Sequence, residues 1–245
     1  MTKRKRRGLN NPMIRAAIQA MRVFSPLDIS TLFAWYDKSD AATLFQNHLM
    51  TIPAVSNGDV IGAWKDKSDF AHHALQEILT NKASLQAIGI RFDGVDNYLR
   101  ATFAAGQAQP NEVWMVADFN GSISATNYLF GAIDTSNRAE FGMATSKYVM
   151  LAGASFTSTI TPTNNKQIHR VVFNGASSSV AINGGTASTG NPGAQSMAGL
   201  TLGARFDLGS WGNVDIQEFL LFSASPTADE RTSLLNYLNE KWSVF

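Results

Sequence analysis

From Ile88 onward, four Asx-Gly steps punctuate the chain: Asp93-Gly94, Asn120-Gly121, Asn174-Gly175 and Asn183-Gly184. Such pairs reach positive φ at little cost and close tight turns between antiparallel strands. Around them lie short runs rich in β-branched and aromatic residues. The clearest are Ile88 to Phe92, Tyr98 to Phe103, Glu112 to Phe119, Tyr128 to Ile133, Ile168 to Phe173, Ser179 to Ile182, Leu200 to Phe206 and Val214 to Phe222. Strands this short and this regularly spaced predict an all-β chain folded as an antiparallel sandwich or jelly roll. Asn174-Gly175 and Asn183-Gly184 predict consecutive hairpins, and the stretch Gly184 to Gly199, rich in Gly, Ser, Thr and Ala, predicts a long loop.

One strong helix closes the pattern. Thr227 and Glu230 have capping-box spacing behind Pro226. Leu234, Leu238 and Trp242 then recur at i, i+4 and i+8, with Leu235 widening the stripe, so this helix is expected to pack on the sandwich. With 245 residues, 44% of them apolar, the chain has the material for one large core. The absence of cysteine excludes disulfides, thiolate metal sites and a cysteine nucleophile. No apolar run approaches the length that spans a bilayer.

Charge is distributed unevenly. Seven of the twenty basic side chains (Lys3, Arg4, Lys5, Arg6, Arg7, Arg15 and Arg22) and none of the nineteen acids fall in residues 1–22. That segment carries +7; thirteen bases against nineteen acids leave −6 on residues 23–245. Pro12 suits a helix start, and Ile14, Ala17, Ile18 and Met21 fall on one face of such a helix while Arg15, Gln19 and Arg22 fall on the other. A helix of roughly ten residues is marginal alone in water and calls for a partner surface. Residues 1–22 are therefore read as a docking arm, with Lys3 to Arg7, Ile14, Arg15, Ile18, Met21 and Arg22 as its contact residues, and residues 23–245 as the sandwich domain. A signal peptide fits poorly because Arg15 interrupts the apolar stretch. Binding of nucleic acid by the arm would follow phosphate charge and not base sequence.

Several sequence elements carry a family resemblance. Phe33-Ala34-Trp35-Tyr36-Asp37-Lys38-Ser39-Asp40 is followed by Thr43-Leu44-Phe45-Gln46, Gly58-Asp59, Trp64-Lys65-Asp66-Lys67-Ser68, His73-Ala74 and Gln76. Ile90-Arg91-Phe92-Asp93-Gly94-Val95-Asp96-Asn97-Tyr98-Leu99 comes next, then Gly212 to Glu218, and finally Tyr237-Leu238 with Lys241-Trp242. In order and spacing these resemble the laminin-G-like, concanavalin A-like jelly-roll module that recurs in bacteriophage virion proteins and bacterial surface proteins. The resemblance covers about residues 27 to 245. It departs at Asp69-Phe70, where such modules usually turn through a glycine, and the arm lies outside it.

Laminarinase-type hydrolases on the same sandwich use a strand reading Glu-x-Asp-x-x-Glu. The comparable run here is Asn213-Val214-Asp215-Ile216-Gln217-Glu218, with Asn213 where the nucleophile would stand. Without a bulge, strict strand alternation would also send Asp215 and Glu218 to opposite faces. No catalytic residue is expected, and Glu218 is read as a structural acid. His72 and His73, as neighbours, make a poor metal pair, and His48 and His169 lack ligand-spaced partners. Asp93 and Asp96, with Asn97, form an oxygen-rich turn that could hold calcium, without the spacing of a dedicated calcium loop; no other cofactor is expected. Glycan sites pair aromatic rings with Asp and Asn acceptors, and Trp211 and Asp215 are the candidates.

The expectation is a non-enzymatic virion structural protein, a decoration, fibre or tail-associated component assembled in bacterial cytoplasm. Its partners would be capsid or tail proteins, met in several copies or as a homo-oligomer, with host cell-surface polysaccharide as a further one. No membrane or specific nucleic acid is expected. A carbohydrate-binding module of a bacterial surface or secreted protein is the alternative, and a degenerate glycoside hydrolase the third reading.

Overall fold

The computed structural model describes residues 23–123 and 125–245. The expected arm, residues 1–22 with its helix, lies outside them.

In chain order come β1 (Leu32–Asp37), β2 (Leu44–Phe45), β3 (Val60–Ile61), β4 (Ala63–Trp64), β5 (Ala74–Leu75) and β6 (Ala83–Leu85). The middle of the chain forms β7 (Ile90–Asp93), β8 (Leu99–Gln107), β9 (Asn111–Phe119), β10 (Asn127–Gly131), β11 (Glu140–Ala144) and β12 (Lys147–Leu151). The last part supplies β13 (Ser155–Thr157), β14 (Gln167–Phe173), β15 (Ser178–Ile182), β16 (Ser188–Gly190), β17 (Met197–Leu202), β18 (Asn213–Phe222) and the helix α1 (Ala228–Trp242).

These strands form two antiparallel sheets packed face to face. The first runs β16-β15-β14-β9-β18-β7-β6-β3. In this sheet β18 pairs with β9 along one side, and along the other with β7 through Asn213–Ile216 and with β1 through Glu218–Phe222. The second sheet runs β13-β12-β11-β10-β17-β8-β5-β4-β2. Between the sheets lies an aromatic core that includes Tyr36, Trp64, Phe92, Phe130, Phe141, Phe173 and Phe219.

The burial pattern distinguishes the two sheets. Along β8, buried Leu99, Ala101 and Phe103 alternate with Arg100, Thr102 and Ala104, so the outer face of the second sheet is open to water. Along β9 and β14 almost every residue is buried. Their inner faces meet the opposite sheet, while Trp114, Val116 and Ile168 are covered on the outer face by α1 through Leu234 and Leu238. Burying two such leucines stabilises the docked helix by roughly 3–6 kcal/mol. The capping box forms as its spacing predicts: the Thr227 hydroxyl accepts from Glu230 N–H, and the Glu230 carboxylate accepts from Thr227 N–H.

The predicted hairpins β14–β15 and β15–β16 are present, and the first turns through Gly175 at φ +51°. The second leaves β15 through Asn183 and Gly184, at φ +52° and +70°. The predicted Gly184–Gly199 loop is partly a strand, because β16 pairs through backbone groups with β15 and needs no apolar side chains. The predicted strand to Phe206 stops at Leu202, where Gly203 at φ +77° turns the chain away. Strands β11 to β13 escaped the sequence reading, as Gly142 and the Thr145-Ser146 turn break their apolar signal. Among the described residues, no helix is long and apolar enough to cross a membrane.

One buried histidine makes the core sensitive to acid. His169 is fully buried beside Phe141 and Tyr148, and its Nε2 lies 3.1 Å from the Tyr148 hydroxyl. Burial pushes its pKa down to about 4. Because the unfolded chain binds this proton more tightly, the contribution is fully present above pH ~6.5 and is lost as pH falls towards about 4. The expected loss is about 3 kcal/mol over that window. Urea unfolding at pH 7.5 and 4.5 should show it in the wild-type chain and show it reduced in His169→Gln.

Candidate functional site

The strand that carries the Asp215–Glu218 run is not regular. The register between β18 and β9 shifts between Ile216 and Glu218, so that Ile216 opposes Ala117 and Glu218 opposes Val116. Gln217 is the extra residue of a β-bulge. Val214, Ile216, Phe219 and Leu221 face the inter-sheet core. Asp215, Gln217 and Glu218 therefore share the outer face, which an unbulged strand would not allow.

Glu218 is fully buried there and accepts four hydrogen bonds. Trp35 Nε1 and Tyr237 OH donate to Oε1 at 2.7 and 3.0 Å; Lys241 Nζ and Trp242 Nε1 donate to Oε2 at 2.8 and 2.6 Å. Lys241 also bridges to Asp37 at 2.8 Å, and Lys67 joins Asp37 to Asp40 at 2.9 Å each. Although burial alone would raise it, hydrogen bonds from Lys241 and Ser39 hold the Asp37 carboxyl below its ordinary range. Most of the motif residues at Trp35-Tyr36-Asp37 and Lys241-Trp242 thus form one network that fastens α1 to β1 and β18. Glu218 is the structural acid expected of it.

Beyond the edge of the helix the same face opens into a cleft of about 330 Å³, lined by Ala87, Ile88, Asp118, Lys166, Gln217 and Trp242. Gln217 Nε2 donates to Asp118 Oδ1 at 2.7 Å. Its Oε1 is buried and has no hydrogen-bond partner. A buried acceptor left unpaired costs about 1–3 kcal/mol, which a ligand hydroxyl would offset. Burial pushes the Asp118 carboxyl above its ordinary range; the Gln217 amide opposes that rise and the nearby Asp215 charge adds to it. Asp118 and Asp215 are directly opposed across β9 and β18, which places their Cβ atoms about 4.5–5.5 Å apart. The cleft therefore offers a carboxyl group, an amide oxygen, an ammonium group and an indole within one opening.

The residues singled out from sequence fall elsewhere. Asp215 lies beside the cleft but is fully buried, its two oxygens taking Arg91 Nε at 3.0 Å and Arg91 Nη2 at 2.6 Å. Trp211 forms an isolated bridge with Ala204 and packs against Tyr98, and no contact joins it to Asp215. Asp93 Oδ1 accepts the backbone N–H groups of Val95, Asp96 and Asn97, so turn formation accounts for it. Among the described residues, no group of three or more His, Asp or Glu could hold a metal ion. His72 Nδ1 meets the Phe33 carbonyl and His73 Nδ1 accepts from Asp66 N–H, so the two serve different neighbours.

Asp118, Lys166 and Gln217 were not singled out from sequence. A lone acid ending the apolar run Val113 to Ala117 was a usable signal for Asp118. Gln217 carried none, since its orientation depends on the bulge.

No family model and no curated protein sequence matches the chain. Among solved structures, it is similar to a Trypanosoma rangeli sialidase in complex with sialic acid, with a TM-score of 0.58 and 15% identity, over 89% of this chain and 34% of that one. It is also similar to the receptor binding domain of botulinum neurotoxin C/D mosaic serotype (TM-score 0.57, 9% identity, 84% of this chain and 51% of that one). A third is the ligand binding domain of botulinum neurotoxin serotype D in complex with N-acetylneuraminic acid, at TM-score 0.53 and 12% identity over 71% of this chain and 48% of that one. The chain thus spans about a third of the sialidase and half of the toxin domains, and at these identities the likeness establishes a shared fold. It corrects the expectation that the chain is not an enzyme: the fold recurs within chains named as sialidases, and the missing glutamate at Asn213 excludes only the laminarinase arrangement.

The Glu218 network makes a direct prediction. Glu218→Ala leaves two indole N–H groups and the Tyr237 hydroxyl without their acceptor and Lys241 with only the Asp37 carboxylate, and should cost about 3–5 kcal/mol. Urea denaturation measures this, and a loss below about 1 kcal/mol would remove Glu218 from its structural role.

Proposed function

We propose that the chain is a carbohydrate-binding sandwich whose glycan site is the cleft of Asp118, Lys166, Gln217 and Trp242. The observation that carries this reading is the buried, unpartnered Gln217 Oε1, set beside a carboxyl acceptor and an indole at an open cleft. Sugars present hydroxyl donors and C–H faces in alternation, which is the complement of that lining. The similar sialidase and toxin structures support it, since they are complexes with sialic acid and N-acetylneuraminic acid. Sialosides and surface polysaccharides are therefore the first ligands to screen on a glycan array. Gln217→Leu removes one hydrogen bond and should weaken the best ligand about threefold to tenfold, and Trp242→Ala should do the same or more. Unchanged affinity in both variants, measured by calorimetry on folded protein, would exclude the cleft.

The setting is a virion or phage-like particle, with residues 1–22 as anchor. This rests on the jelly-roll resemblance and on the +7 charge of that segment. Co-sedimentation with intact particles should be lost when residues 1–22 are deleted and should fall with rising salt; equal binding with and without them would sink the anchor.

A second reading, cleavage of the bound glycan, is favoured by Asp118. An open carboxyl with a raised pKa, opposite a second carboxyl, suits a proton donor to a glycosidic oxygen. Product release from a labelled array ligand that disappears in Asp118→Asn would establish it.

A further inference from the structure

A second cavity lies on the same face, under the other half of α1. It measures about 290 Å³ and is lined by Trp114, Ile168, Arg170, Arg231, Thr232 and Leu235 among others. Trp114 and Asp118 are four residues apart on β9, roughly 13 Å at 3.3 Å per residue, so this cavity is distinct from the cleft above.

Its charge is unbalanced. Two guanidinium groups face one carboxylate, Glu112, which is fully buried. Glu112 is fully engaged: Oε1 accepts Trp114 Nε1 at 2.8 Å and Arg231 Nε at 3.0 Å, and Oε2 accepts Arg231 Nη2. Arg170 stands over the Trp114 ring at 6.0 Å, with its Nε buried and unpartnered. Among the described residues it makes no ion pair. Residues 1–22 contain no Asp or Glu, so that segment brings no side-chain carboxylate to it. Burial works against the charged guanidinium, and a bound anion relieves that cost. The remaining wall is apolar, from Ile168, Ala181 and Leu235. Gly184 opposite belongs to it too, where a Cβ would meet Leu235 Cδ2 at 2.6 Å and close the space.

We propose that this cavity binds a small organic carboxylate about one ring in size, its carboxylate on Arg170 and its ring against Ile168 and Leu235. A planar guanidinium suits a carboxylate through paired N–H donors. A cavity of this volume sits at the small end of ligand pockets, which sets the one-ring limit.

The test uses the full chain, with sodium benzoate and sodium glucuronate as carboxylate probes and benzamide and glucose as neutral counterparts. Calorimetry measures affinity, and the ¹⁵N–¹H signal of Arg170 Nε reports contact. Expected are saturable binding of at least one carboxylate, a shift of the Arg170 Nε signal, and a loss of about tenfold or more in Arg170→Met, with Arg170→Lys between the two. Thermal unfolding shows that each variant is folded. Equal binding of the neutral counterparts, no saturable binding of either carboxylate, or unchanged affinity in folded Arg170→Met would overturn the proposal.

Discussion

A single buried carboxylate holds the architecture of the outer face together. Glu218 accepts from Trp35 on β1, from Tyr237, Lys241 and Trp242 on α1, and itself sits on the central strand β18. A carboxylate taken out of water is costly unless all its lone pairs are used, and four donors meet that demand here. The same bonds fix the direction of the helix across the sheet. Leu234 and Leu238 supply the apolar adhesion, which is non-directional; the carboxylate supplies the registration.

The bulge at Gln217 makes this possible. Without the extra residue, Glu218 would point into the aromatic core between the sheets, where no cation awaits it. With it, three consecutive polar positions, Asp215, Gln217 and Glu218, reach the outer face and take up different tasks. Asp215 locks Arg91, Glu218 locks the helix, and Gln217 keeps one buried oxygen without a hydrogen-bond partner. The helix then divides the face into two hollows, one around Asp118 with a carboxyl acceptor, one around Arg170 with an unbalanced cation. Function is read from these hollows because the sandwich itself is shared by proteins with different activities.

How much of this could be read in advance varies by element. The longer strands follow from their apolar runs and Asx-Gly turns, and α1 from its capping box and leucine spacing, because these signals are local. Strand β16 was hidden, since an edge strand of Ser, Thr and Gly is held by backbone pairing alone. The structural role of Glu218 was legible as an acid without a nucleophile partner. Its partners were not, because Trp35 and Trp242 are separated from it by 183 and 24 residues. The choice of Trp211 and Asp215 as a glycan pair rested on residue type, and long-range partners decided otherwise: Tyr98 and Ala204 hold one, Arg91 the other.

The sequence by itself determined the fold class, the capped helix and the charge contrast between residues 1–22 and the rest. All three are properties of neighbouring residues and of sums along the chain. Tertiary structure alone decided the face on which each acid emerges, which cations are neutralised and which remain, and where the helix stops covering the sheet. A one-residue shift in strand register reverses every side chain beyond it, and that shift is set by pairing between distant strands.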